Sequence, residues 1–147
     1  MSQENEKIRP EVHVLKKRQD FLRVAATRKK WVSQSMVVQM AASPDEIIPP
    51  GAEEAGLIRV GFTASKKVGN AVMRNRAKRR LREVARKILP EEGRKGFDYV
   101  IIARDKLPSQ AFDQLIRDFK WCLKRLHADQ KPEKDKRERP SGLKRGA

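Results

Sequence analysis

A dense run of basic side chains occupies the middle of the sequence, over residues 66–87. It holds ten Lys or Arg and a single acid, Glu83, so these 22 residues carry a net charge of +9 out of +16 for the whole chain. Arg can form paired hydrogen bonds to a phosphate group, and Lys provides a compact positive charge. The run therefore predicts a surface that binds a polyanion such as a nucleic acid.

A helix would sort this run into two faces. Asn70 is a suitable N-cap for a helix that begins at Ala71. At 100° per residue, five apolar residues share one stripe and most of the basic residues point away from it. One face can then pack on a core while the other contacts a ligand. The predicted apolar stripe consists of Met73, Ala77, Leu81, Val84 and Ile88.

The alternative is a basic helix that is merely solvated. Like charges four residues apart, such as Lys78 and Arg82, destabilise an isolated helix, and a phosphate backbone would relieve that repulsion. A solvated helix usually has acids between its basic residues, but here only Glu83 interrupts them. The pattern favours nucleic acid over solvent.

Acidic residues and histidines do not form a recognisable catalytic set. A metal-dependent nuclease needs several converging carboxylates, whereas the 19 Asp and Glu are scattered along the chain. His13 and His127 lie at the edges of the predicted domain and are interpreted as exposed imidazoles, so a histidine pair acting as acid and base has little support. Cys122, the single cysteine, is predicted to be a buried helix residue.

Length and composition predict one domain with polar ends. A chain of 147 residues suits a single core. Neither a secretion signal nor an apolar run long enough to span a membrane is recognised, which predicts a cytoplasmic protein without membrane contact. The predicted organisation is a flexible arm over 1–13, a domain over 14–126 that includes a long acidic loop at 43–56, and a disordered basic tail over 127–147.

Hydrophobic periodicity places helices and strands around the basic run. The segments 35–41 and 57–63 are predicted to pair as a hairpin with a long loop, and 97–103 is predicted to be a central strand because its apolar run is nearly continuous. Residues 90–96 are predicted to form a turn. The remaining predicted helices cover 16–28 and a segment that starts with Ser109 as its cap.

The sequence around Arg74-Asn75-Arg76 closely resembles the RNR signature of the protein subunit of bacterial ribonuclease P. Other matches are LKK from Leu15, GFT from Gly61 and DYVIIAR from Asp98, so the resemblance covers roughly residues 14–126. It implies an α+β single-domain sandwich of order α-β-β-β-α-β-α, with a four-stranded sheet and a left-handed βαβ crossover.

The resemblance also implies a function. Family members assist a catalytic RNA in the endonucleolytic removal of the 5′ leader from precursor tRNA, so the catalytic centre and the Mg²⁺ ions are expected in the RNA. The predicted partners are the catalytic RNA and precursor tRNA, with no tightly bound metal and no obligate protein partner. The residues predicted to bind the catalytic RNA are Lys66, Lys67, Asn70, Arg74, Asn75, Arg76, Lys78, Arg79 and Arg82.

A cleft between the first helix and the sheet is expected, by resemblance, to bind the single-stranded leader. Phe21 matches an aromatic residue of the family's first helix, while Ala25 and Gln39 stand where other members can have aromatics, which weakens the expectation of base stacking. Core packing remains an open role for Phe21 and Met36. The predicted cleft residues are Phe21, Met36, Val38 and Gln39.

Other functions remain as alternatives. The chief one is a general structured-RNA-binding or ribosome-associated protein with no role in leader removal. A nuclease that acts without an RNA partner is disfavoured by the scattered carboxylates. A helix-turn-helix DNA-binding protein is disfavoured because the basic helix is predicted to lie between strands.

Overall fold

Five strands and three α-helices make up the part of the chain that the computed structural model describes, residues 9–44 and 56–129. In chain order the elements are β1 (Glu11–Val14), α1 (Arg18–Ala26), β2 (Lys30–Val32), β3 (Met36–Ala42), β4 (Leu57–Ala64), α2 (Ala71–Glu92), β5 (Phe97–Ala103) and α3 (Phe112–Asp129). The strands form one mixed sheet of order β1-β4-β5-β3-β2. Two short 3₁₀ turns, Lys66–Val68 and Leu107–Ser109, precede α2 and α3.

Strand β5 is central, as its apolar run predicted. It pairs in parallel with β4, where Val60 is opposite Tyr99, and antiparallel with β3, where Met40 is opposite Tyr99. The predicted hairpin between 35–41 and 57–63 is wrong, because β5 lies between those two strands. Helix α2 connects the parallel strands β4 and β5 and is therefore a crossover connection.

The sheet has five strands rather than the four that were predicted. Strand β1 pairs in parallel with β4 and includes Val12 opposite Ile58, so residues 11–13 belong to the sheet and not to a flexible arm. The handedness of the crossover stays a prediction. Residues 1–8, most of the predicted acidic loop (45–55) and the tail from residue 130 onward lie outside the described residues.

The two faces of the sheet are covered differently. Helices α2 and α3 pack on one face and form the main core, while α1 packs on the other face around Val24, Ala41 and Val100. The predicted stripe of α2 is confirmed by its buried side chains, except that Met73 is 40% exposed. The buried residues of α2 and α3 include Ala77, Leu81, Val84, Ile88, Leu115, Phe119, Cys122 and Leu123.

The observed ends of α2 and α3 differ from the predicted ones. Helix α2 begins after Asn70 as predicted, but it continues through Pro90 to Glu92, because the buried residue Leu89 anchors its last turn. The predicted turn over 90–96 is therefore shorter. Ser109 does not cap α3, since its hydroxyl donates to the carbonyl of Lys106 within a 3₁₀ turn.

Buried Asp98 holds α1 against the sheet. Its carboxylate accepts two hydrogen bonds from Arg59 of β4, at 3.0 and 2.6 Å, and further bonds from Ser43 and from Arg23 of α1. Burial alone raises the pKa of Asp98, but the hydrogen bonds from Arg59, Ser43 and Arg23 outweigh it and hold the pKa below its ordinary value. The charge is thus compensated where it is buried.

His127 is not the exposed imidazole that was predicted. Its Nε2 atom lies 2.8 Å from the hydroxyl of Tyr99, which accepts a hydrogen bond from the backbone N–H of Arg94. The hydroxyl can therefore donate to Nε2 of a neutral His127. Burial, helped by the charge of Arg94, lowers the pKa of His127 to about 4. This bond fastens the last turns of α3 to β5.

A specific pH dependence follows from this histidine. Its pKa is about 4 in the folded chain and 6.5 ordinarily, so the unfolded chain binds the extra proton first as the pH falls. We expect the contribution of His127 to stability to be fully present above pH 6.5, to fall between pH 6.5 and about 4, and to change no further below that. Urea unfolding of the wild type and His127→Gln at several pH values measures it. A difference between the two proteins that is independent of pH would contradict the assignment.

Candidate nucleic-acid interface

Four polar side chains on the solvent side of α2 form a surface that we call the basic ridge: Asn75, Arg76, Arg79 and Arg82. All four are exposed, because they lie opposite the buried stripe of the helix. Among the described residues none of these three arginines has a carboxylate within ion-pair distance, since Glu83 pairs with Arg86 at 3.0 Å. The ridge therefore presents uncompensated positive charge to solvent.

The guanidinium group of Arg82 lies over an aromatic ring. Its central carbon is 5.4 Å from the centre of the ring of Phe62, a residue of β4 that lies under α2. Such cation–π contact orients the group without using its N–H donors. Arg82 can therefore donate to phosphate oxygens from a defined position.

Two other arginines of α2 donate hydrogen bonds to backbone carbonyls of this chain. Arg74 is half-buried and donates to the carbonyl of Gly69 at 2.8 Å, which places it at the beginning of the helix. Arg80 donates to the carbonyls of Leu107 and Gln110 at 3.1 and 2.9 Å, so it fixes α2 to the segment before α3. The predicted site residue Arg74 is thus partly committed to folding, and Lys78 is also half-buried.

The segment before α2 places two more predicted residues beside the ridge. Val68 is buried, which leaves Lys66 and Lys67 exposed in the 3₁₀ turn. Gly69 has φ = +143°, and a Cβ atom there would lie 2.5 Å from the sulfur of Met73, so only glycine suits this position. The side-chain oxygen of Asn70 accepts the N–H of Met73 at 2.9 Å, so this predicted RNA contact acts as the cap of the helix.

The cleft was predicted on the other face of the sheet, where α1 packs. Phe21 packs directly over Gly61, where a Cβ atom would lie 2.5 Å from the ring, so the glycine permits the close approach. The half-buried sheet residues on this face are Val37, Gln39, Arg59, Thr63 and Ile102. Phe21 and Gln39 therefore share this face of the sheet, and leader binding in a cleft between them stays a prediction.

Met36 and Val38 do not line this cleft. Both are fully buried in the main core, under α2 and α3. Successive side chains of a strand point to opposite faces, so residues 36 and 38 cannot share a face with Gln39. Val37 lies on the face of Gln39 instead. Its position two residues before Gln39 in the same strand was the signal that could have identified it.

A groove lies between the end of β5 and the 3₁₀ turn Lys66–Val68, at the carboxyl ends of the parallel strands β4 and β5. Arg104, which sequence reasoning missed, donates to the carbonyl of Ser33 at 2.6 Å and lies at the rim of this groove. An anion that enters this groove thus meets positive charge at its rim. The groove is lined by Ser65, Lys67, Ile102, Ala103, Arg104 and Asp105.

Neither a metal site nor a membrane span is found within residues 9–44 and 56–129. No group of three or more His, Cys, Asp or Glu in these ranges has a geometry suited to a metal ion. No helix there is long and apolar enough to cross a bilayer. Buried Asp98 and half-buried Asp20 are both paired with Arg23 and Arg59.

Comparison with known proteins gives one consistent result. The family model described as Ribonuclease P matches residues 10–127. The "Ribonuclease P protein component" of Ruegeria pomeroyi is 53% identical over 118 residues, which cover 80% of this chain and 88% of that protein. The protein of the same description from Paramagnetospirillum magneticum is 45% identical over 117 residues, which cover 80% of this chain and 84% of that protein.

Solved structures agree with the sequence comparison. The RNase P protein of Staphylococcus aureus superposes with a TM-score of 0.59 at 28% identity, over 76% of this chain and 93% of that one. The RNase P protein of Thermotoga maritima also superposes with a TM-score of 0.59 at 28% identity, over 77% of this chain and 96% of that one.

Proposed function

Because the chain belongs to the family of ribonuclease P protein components, we propose that its basic ridge binds the catalytic RNA and that its cleft binds the 5′ leader of precursor tRNA. As a member of this family it is the protein component of a ribonucleoprotein endoribonuclease and acts with a ribonuclease P RNA in tRNA 5′ processing. The two proposed surfaces lie on opposite faces of one sheet, so the protein can contact both RNAs at once.

The unpaired charge of the basic ridge is the observation that carries this proposal. Arg76, Arg79 and Arg82 are one turn apart along α2, exposed, and without carboxylate partners among the residues described. Phosphate contacts of this kind supply most of the affinity of proteins for nucleic acids and make it dependent on salt. Lys66 and Lys67 extend the same positive surface from the adjacent turn, and Asn75 can contact a base edge or a 2′-hydroxyl.

The cleft suits a single strand of RNA by its shape and chemistry. Its half-buried apolar floor, Val37 and Ile102, can contact bases, while Gln39 can donate and accept hydrogen bonds. Phe21 is held by Gly61 and offers at most one ring edge, so van der Waals contact outweighs extended base stacking here. A leader that leaves the cleft at the ends of β4 and β5 would pass Lys67 and Arg104.

Mg²⁺ is assigned to the RNA in this proposal. Hydrolysis of the phosphodiester requires oxygen ligands that converge on the metal ions, and RNA phosphates provide such ligands. The carboxylates Asp20 and Asp98 are instead hydrogen-bonded to arginines. The contribution of the protein is to position the RNAs and to neutralise their charge. The proposal also assigns this activity to the cytoplasm.

Reconstitution with a ribonuclease P RNA tests the function. Purified protein should raise the rate of precursor-tRNA cleavage at low Mg²⁺ above that of the RNA alone, because positive side chains replace part of the screening that Mg²⁺ provides. The gain should decrease when the leader is shortened so that it no longer reaches the cleft. Using only protein and RNA also tests whether any further protein is required.

The outcome that contradicts the proposal is defined by the chief alternative. A general RNA-binding protein would bind unrelated structured RNAs with comparable affinity and would leave the cleavage rate unchanged. Cleavage by the protein without RNA would instead indicate a nuclease of its own. Either result would overturn the assignment.

A further inference from the structure

Two tryptophans and an arginine form a partly exposed cluster outside the basic ridge. Trp31 is half-buried in β2, an edge strand, and Trp121 is exposed on α3; their rings meet edge to face with centres 5.6 Å apart. The guanidinium carbon of Arg125 is 5.1 Å from the centre of the Trp31 ring and 5.6 Å from that of Trp121. We call these three residues the Trp–Arg cluster.

The side chains of the cluster are more exposed, and form fewer polar contacts, than side chains that only pack a core. Trp121 is 43% exposed, although α3 is already anchored by several fully buried residues. The indole N–H of Trp31 donates to Asp129 at 2.8 Å, which fixes the orientation of its ring. Arg125 has no hydrogen-bond or ion-pair partner within the described part of the chain, so its N–H donors remain available while the indoles hold its position.

Exposed basic residues flank the cluster, both before β2 and on α3. The side chains next to it in sequence are exposed and have no ion-pair partner in residues 9–44 and 56–129, whereas Asp129 is engaged by Trp31. Such a surface repels a second copy of this chain and attracts a polyanion. The flanking basic residues are Arg28, Lys29 and Lys124; Lys30 is opposite Gln39 and therefore lies on the other face of the sheet.

We propose that the Trp–Arg cluster binds an unpaired nucleotide of the catalytic RNA, with the base stacked on Trp121 and the phosphate accepting hydrogen bonds from Arg125. Exposed aromatic rings and arginine planes are the groups that proteins use to bind splayed bases. This inference rests on the proposed function, because it assigns a second contact to the same RNA partner.

The position of the cluster favours the catalytic RNA over the leader. Helix α3 packs on the same sheet face as α2, whereas the cleft lies on the opposite face. Helix α2 lies over β4 and α3 over β3 and β2, and β4 and β2 are three strand spacings apart, roughly 14 Å. The ridge and the cluster can therefore contact separate nucleotides of one RNA.

Tryptophan fluorescence reports on this site directly, since Trp31 and Trp121 are the two tryptophans of the chain. Addition of ribonuclease P RNA to the full-length protein should quench the emission and saturate with the same dissociation constant as a filter-binding assay. Unchanged emission while the RNA is bound would overturn the proposal. Quenching that occurs only with precursor tRNA carrying a leader, or only with an added protein, would also overturn it.

Substitutions separate stacking from structure. Trp121→Ala should weaken binding of the catalytic RNA roughly 5- to 150-fold, and Trp121→Phe should lose less because it keeps an aromatic face. Arg125→Gln should reduce the log–log salt slope by about 0.9. The matched control is Arg117→Gln, which removes the same charge from the same helix but takes away a side chain that donates to Gln114, whereas Arg125 is the arginine that lies over the indoles.

The outcomes distinguish this inference from the function on which it rests. If Trp121→Ala binds the RNA with wild-type affinity, or if Arg125→Gln and Arg117→Gln lose affinity equally, the cluster is not a binding site. Stimulation of cleavage by the wild type would persist in that case. Absence of stimulation by the wild type would contradict the proposed function itself. Thermal unfolding of each variant confirms that it is folded.

Discussion

Replacing Arg76, Arg79 and Arg82 together by glutamine should weaken binding of the ribonuclease P RNA by about a hundredfold at 0.15 M salt. The wild-type protein, with six phosphates contacted, should show a log–log salt slope of about −4 to −5, and the triple variant a slope smaller in magnitude by about 2 to 3. The reason is that each exposed, unpaired guanidinium on α2 releases a counterion from the RNA when it binds a phosphate. Filter binding between 0.05 and about 0.5 M salt measures both quantities.

A variant of equal net charge provides the control. Lys87, Lys95 and Arg117 are exposed and lie outside the predicted interface, and glutamine at these positions removes the same three charges. This control should keep nearly the wild-type slope. If the two triple variants lose equal affinity, net charge and not the ridge determines binding, and the interface is misplaced.

Replacing Asp98 by asparagine should lower the free energy of unfolding by about 3 kcal/mol, near the lower end of the range for breaking a buried ion pair. Asp98 is fully buried, and the variant leaves Arg59 with its side chain only 15% exposed and without its main carboxylate partner. Arg23, at 34% exposed, can turn toward solvent, which keeps the cost from being larger. Urea unfolding at pH 7 measures the change.

Asp20→Asn is the matched control for that substitution. Asp20 contacts the same two arginines at longer distances, 3.4 Å from Arg59 and 3.6 Å from Arg23, so its replacement should cost clearly less. The contribution of Asp98 should be present above its ordinary pKa of 3.8 and be lost only as the pH falls below it, because its folded pKa is depressed. Equal costs for the two variants would contradict the central role of Asp98.

The Asp98 network also links folding to the cleft. Arg23 belongs to α1, the wall of the proposed cleft, while Arg59 and Asp98 belong to the sheet that would form its floor. In Asp98→Asn the wall loses its main polar attachment, and we expect leader-dependent stimulation of cleavage to decrease more than affinity for the catalytic RNA. The ridge is unaffected because α2 packs on the other face.

The basic helix and its cap were predictable because both depend on residues close together in the chain. Charge density, the 3.6-residue period and the position of Asn70 predicted where α2 begins and which face is buried. The continuous apolar run of 97–103 likewise predicted the central strand. The RNR resemblance added the family, which the comparisons confirm.

Pairing between distant segments was not predictable in this way. Strands β1 and β2 have only four and three residues, too few for a period to be recognised, so periodicity located three of the five strands and the resemblance implied a fourth. The face on which Met36 and Val38 lie follows from the register of β3 against β5. His127 was predicted to be exposed because its partner, Tyr99, is 28 residues away.

By itself, then, the sequence determined the local features of this protein: a capped helix with one basic and one apolar face, and an apolar strand for the centre of a sheet. The tertiary structure alone decided which arginines remain free to bind phosphate, which side of β3 faces the cleft, and that Trp31 meets Trp121 and Arg125. The physical reason is that helix periodicity and capping arise between near neighbours, whereas strand order and the pairing of charges and rings depend on contacts between segments that are far apart in the chain.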